Sequence, residues 1–180
     1  MRAIWINGAF GAGKTSVTAE LQSALPDARV FDPEIIGSLM PHLGEAAETG
    51  DFQDIELWRR LVADTAIGLM DIHRADLIVP MTLVVESYTQ AIVDRIAAAG
   101  HEVHMFWLSL PGDELRRRIT AQVLIADDAE RDAEVRQWRL DQVDRCQLAA
   151  GSTHVGLAVP NRDRPPAATA ADILGRLRSS

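Results

Sequence analysis

The residues with the clearest chemistry are Gly8-Ala9-Phe10-Gly11-Ala12-Gly13-Lys14-Thr15, a full match to the phosphate-loop pattern G-x-x-x-x-G-K-[ST]. Glycines let the backbone curl so that successive N–H groups point at phosphate oxygens. A helix opening at Lys14 turns its positive N-terminal end toward the same anion. In that arrangement Lys14 reaches the β and γ phosphates, and the Thr15 hydroxyl ligates Mg²⁺ with Ser16 beside it. The expectation is a nucleoside-triphosphate site built from residues 8–16. A guanine-reading N-K-x-D motif needs a second lysine. The chain carries 17 arginines and a single lysine, Lys14, so ATP is the expected donor.

Acidic residues sort the subclass. The apolar run Leu77-Ile78-Val79 ends in Pro80-Met81-Thr82 rather than in an acid, and Asp76 lies at the wrong end of that strand. This disfavours motor and transporter ATPases. Asp32 and Glu34 instead follow the second strand, where ligands of an open parallel sheet gather. Asp32 is the candidate to accept an acceptor hydroxyl's proton or to hold a Mg²⁺-bound water. A plain turn aspartate before Pro33 is the competing reading. Phosphoryl transfer also calls for cations that close over the site. Arg116-Arg117-Arg118 supplies them, followed by Arg131, Arg136, Arg139 and Arg145. With Leu115 turned to the core, Arg118 is the expected lid residue, and most of the others belong to a solvated, salt-bridged face. Asn161, after the last strand, is a candidate adenine contact.

These residues need elements to hold them. Strands are expected at 3–6, 28–31, 77–79, 102–108 and 153–159, alternating with helices at 14–25, 35–43, 53–74, 87–99 and 169–178. In the long helix, Leu57, Leu61, Ala66, Ile67 and Met70 are expected near the core. One further helix carries Leu115 and Ile119, another runs to about 149, and the charge-dense 127–134 between them reads as an exposed connection. Pro165-Pro166 reads as loop. Alternation of this kind means α/β architecture with a parallel sheet covered on both faces.

Length and composition fit. A chain of 180 residues argues for one domain, 1–180, with a helical lid region over 111–149. A net charge of −8 argues against a general nucleic-acid binder. Cys146 is the only cysteine, so no intrachain disulfide forms, and it is expected to pack rather than react, as are Trp107 and Trp138. The N-terminal apolar run is too short for a signal peptide, and no segment has the ~20 apolar residues of a membrane span. A cytoplasmic location is expected, with oligomeric state left open. His101-Glu102-Val103-His104 is one residue short of a zinc motif and sits in a strand, where positions 101 and 104 face opposite ways.

Trp5 to Thr15 resembles the opening of tunicamycin-resistance (TmrB-like) P-loop nucleotide kinases. The likeness continues through Asp32-Pro33-Glu34, Asp51-Phe52-Gln53, Leu57-Trp58-Arg59, Val79-Pro80-Met81-Thr82 and Asp144-Arg145-Cys146. More distantly, the chain is similar to chloramphenicol phosphotransferase and the adenylate kinase group. The resemblance implies a P-loop NTPase three-layer fold with five parallel strands and a small helical lid. It implies that Asp32 acts as base, and that Trp58 and Arg59 lie on the acceptor side with Glu34, helix packing with an ion pair being the competing reading of Trp58 and Arg59. Pro80-Met81-Thr82 would floor the site. Thr120 and Gln122 stand where relatives carry more basic residues. The function expected is an ATP- and Mg²⁺-dependent kinase for a nucleotide or nucleoside-like small molecule. The alternative is an ATP-binding protein that sequesters a toxic ligand without catalysis.

Overall fold

Alternation along β1 (Arg2–Asn7) sets the layers. Ile4 and Ile6 enter one apolar core, Ala3 and Trp5 the other, and all four are completely buried. A strand buried on both faces needs a helical layer on each side. The computed structural model, which describes residues 1–179, shows both. β1 is the middle strand of a five-stranded sheet with β2 (Arg29–Val30), β3 (Leu77–Pro80), β4 (Glu102–Ser109) and β5 (Leu157–Pro160). The order is β2-β3-β1-β4-β5, and every pairing is parallel.

One face packs against α1 (Lys14–Ala24), α5 (Gly112–Thr120), α6 (Ala129–Ala149) and α7 (Pro166–Leu177), through Leu21, Ile119, Val143 and Ile173 among others. The other face packs against α3 (Glu56–His73) and α4 (Glu86–Ala98), through Trp58, Val62, Met70, Ile92 and Ile96. The short α2 (Glu34–Leu39) follows β2. This is the three-layer α/β fold. From β1 the chain crosses to the β2 edge, and from β3 it crosses back past β1 to β4. The carboxyl ends of β1, β2 and β3 therefore open on one crevice.

Several local expectations are corrected. Residues 129–134 are not an exposed connection but the first turns of α6. Asp128 caps that helix by accepting from the Arg131 amide, and Glu130 and Asp132 sit where the helix dipole favours acids. Charge density therefore marked a helix start. Pro166 begins α7, a position where its missing N–H costs nothing. The buried stripe of α3 is Trp58, Val62, Ala66 and Met70, with Ala63. Leu57, Leu61 and Ile67 pack half-buried against the same core at its flanks, so the expectation of their nearness to the core holds. Residues 153–155 are a 3-10 turn that precedes the short β5. Asp76 has a structural role: it accepts from the Arg2 amide and pairs with the Arg2 guanidinium at 2.6 Å, fastening the amino ends of β1 and β3.

Candidate active site

The phosphate loop joins β1 to α1, as its chemistry requires. Gly11 and Gly13 have φ of 76° and 90°, the left-handed region where a Cβ is strained. Ala9 and Ala12 form the buried inner side of the loop. Two buried asparagines hold it. Asn7 accepts from the Gly8 and Leu83 amides and donates to the Leu83 and Val155 carbonyls, satisfying its whole side chain. Asn161 donates to the Ala12 carbonyl at 2.7 Å and accepts from the Thr169 hydroxyl. Neither role was legible in the sequence, because Leu83 and Val155 lie far from Asn7 along the chain and Ala12 lies far from Asn161.

Lys14 is folded across the loop. Its ammonium donates to the Gly8 and Ala9 carbonyls at 2.9 and 3.1 Å and to Thr82 Oγ1 at 2.8 Å. Thr82 in turn donates to the Gly8 carbonyl at 2.7 Å, and its own carbonyl accepts from Gln53. Burial pushes the Lys14 pKa down to about 8, against the pull of Glu34 and Asp32. Three acceptors, none of them fully charged, hold the cation where a phosphate would otherwise take it.

Above the loop lies a cleft of about 250 Å³. It is lined by Phe10, Gly11, Gly13, Lys14, Thr15 and Ser16, by Asp32 and Glu34, and by Pro80, Gln122 and Arg139. The Asp32 Oδ1 accepts from the Glu34 amide, so the turn aspartate is also a residue of the cleft lining. The exposed Thr15, in the first turn of α1, lines the same cleft as the two carboxylates. Hydroxyl and carboxylate oxygens form the hard donor set that Mg²⁺ prefers. Among the described residues no cluster of three metal-binding side chains holds a metal unaided.

Arg139, on α6, is the guanidinium that lines this cleft, its charge 5.3 Å from the centre of the Phe10 ring. Burial lowers its pKa and Glu34 opposes that shift. The signal for it was available: Arg139, Val143 and Cys146 share the i, i+4, i+7 stripe on which the latter two are buried. Arg118 points elsewhere, donating to Glu114 at 2.6 Å alongside Arg117. Hydrogen bonds from Arg117 and Arg118 hold the Glu114 carboxyl down at about 2.

Other expected contacts lie outside the cleft. Trp58 is completely buried and donates its indole N–H to the Pro33 carbonyl, so it offers no face to a ligand. Arg59 donates to the Gln53 carbonyl and stacks 4.3 Å from the Tyr88 ring centre. Met81 is buried in the core shared with α3 and α4, and Asn161 has both side-chain ends engaged within the protein. Burial pushes the Cys146 thiol up to about 11, which leaves it un-ionised at neutral pH.

A family model described as an AAA domain matches residues 4–146. A search of curated sequences finds no match. Among solved structures, the Deinococcus radiodurans tunicamycin resistance protein has a TM-score of 0.72 at 21% identity, over 99% of this chain and 96% of that one. The APS kinase of Mycobacterium tuberculosis, solved with AMPPNP and APS, has a TM-score of 0.70 at 19% identity, over 98% and 97%. The shikimate kinase of Bacteroides thetaiotaomicron has a TM-score of 0.62 at 16% identity, over 99% and 98%. With a phosphate loop seated at the switch point of a parallel sheet and the fold of P-loop small-molecule kinases, the chain belongs to this AAA-domain family.

Proposed function

We propose that this protein is an ATP- and Mg²⁺-dependent phosphotransferase acting on a nucleotide or nucleoside-like small molecule. The observation that carries the reading is that Lys14, Thr15 and the carboxylate of Asp32 line one cleft. Loop amides and Lys14 bind the β and γ phosphates once the ammonium leaves Thr82 and the loop carbonyls. Thr15, with Asp32 through water, would hold Mg²⁺, which supplies charge neutralisation on the transferring phosphoryl group. Asp32 orients the acceptor hydroxyl and takes its proton, and Glu34 lies beside it. Arg139 faces the developing charge. The α5–α6 segment, 111–149, is the lid that excludes water, and Arg118 serves there as support for the segment. Likeness to a tunicamycin resistance protein supports a nucleoside antibiotic as one acceptor.

The test is transfer of label from γ-labelled ATP to a panel of nucleosides, nucleotides and tunicamycin. One acceptor gains label, and Asp32→Asn lowers kcat by about 10²–10⁴-fold with ATP affinity little changed. If none gains label while Asp32→Asn leaves ligand binding intact, the protein sequesters its ligand instead.

A further inference from the structure

We propose that Gln122 is a specificity-determining residue: its side-chain carbonyl accepts a hydrogen bond from an uncharged N–H on a planar heterocycle bound beside ATP. This rests on the two-ligand cleft described under Proposed function. Gln122 lies just after α5, among the residues lining that cleft, and its Oε1 is buried with no hydrogen-bond partner. Native proteins rarely leave a buried acceptor unpaired, so an acceptor with no protein partner at the edge of a ligand cleft is open to a ligand's donor. Other groups narrow the donor. A cationic donor is drawn to the Asp32 and Glu34 carboxylates in the same cleft, which leaves the neutral amide for a neutral donor.

The flat partner is indicated by a second observation. Phe10 lines the cleft, and Trp138 packs edge-on to it at 5.1 Å and 65°. Trp138 is 41% exposed, whereas Trp5, Trp58 and Trp107 are at most 1% exposed. The exposed indole lies beside the cleft, edge-on to the lining residue Phe10, and its free face is a surface on which a planar ring lies at little conformational cost. That face and the orphan carbonyl together suit a ring with an N–H edge.

Burial of the other three tryptophans also makes Trp138 the fluorophore that acrylamide quenches. The probes are uridine and 3-methyluridine, guanosine and 1-methylguanosine, each pair differing at one N–H, with ADP present. In the native protein at least one parent nucleoside shields Trp138 from acrylamide, and its N-methyl partner binds about 10-fold more weakly. Gln122→Met abolishes that difference, and Gln122→Glu, which keeps an acceptor, retains it. The methylation cost compares two nucleosides in one and the same protein, so each variant is its own reference, with ADP affinity and thermal midpoint measured for both. The proposal is overturned if no nucleoside shields Trp138, if methylation costs as much in Gln122→Met, or if Gln122→Met weakens ADP equally. Shielding and discrimination without labelled product would leave this subsite standing and remove the phosphotransferase reading.

Discussion

Lys14 shows how much one side chain's surroundings set its chemistry. Its depressed pKa comes from burial among neutral acceptors, and phosphate oxygens arriving in the cleft would favour the ammonium again. Well below pH 8 the residue is charged with or without ligand, and no proton moves. Between about pH 8 and the ordinary lysine value near 10.5, the empty protein has lost protons that the loaded protein holds. ATP binding at pH 8.5–9 should therefore take up a proton, read calorimetrically in buffers of different ionisation enthalpy, and Lys14→Met should remove the uptake. Arginine placement gives a second prediction at this scale. Arg139→Met should lower kcat/KM by about 10²–10³-fold, the scale of losing one transition-state donor. Arg118→Met should lower it much less, since Arg118 is spent on Glu114. Steady-state kinetics with the identified acceptor decides between them.

Among the elements, α6 carries the main surprise. Asp132 is 4% exposed, accepts from the Leu124 and Ile125 amides, and pairs with Arg136. One carboxylate thus fixes the connection after α5 to the start of the next helix. Asp132→Ala leaves two amides and a guanidinium without their acceptor. Urea unfolding should show a loss of about 2–3 kcal/mol, the scale of hydrogen bonds to a charged group. Hydrogen exchange at Leu124 and Ile125 should accelerate together. Sequence patterning read the charge of 127–134 correctly and its conformation wrongly, since the cap and the buried pair depend on where the polypeptide returns.

For the whole molecule, an acidic chain concentrates its one lysine and an inward arginine at a single cleft. The loop is tied through Asn7 to the segments following β3 and preceding β5, and through Asn161 to α7. Ligand held there is therefore linked to global unfolding. At 100 times its Kd, ATP should stabilise the native protein by about 2.7 kcal/mol, seen as a higher thermal midpoint. Lys14→Met should flatten that response, with the rise measured from the variant's own ligand-free midpoint. A midpoint that rises as much in the variant would detach the loop from nucleotide binding.

Local rules were enough for the phosphate loop, the five strands and most helices, because spacing, turn chemistry and apolar period act between near neighbours. They were also enough to place Asp32 at the crevice, since parallel strands bring their carboxyl ends to one side. Tertiary structure alone decided that Trp58 is core, that Asn161 braces the loop, and that Arg139 rather than Arg118 faces the cleft. Each of those outcomes depends on which side of a helix meets a distant segment. Burial and pairing across such contacts determine whether an aromatic, an amide or a cation remains free for a ligand.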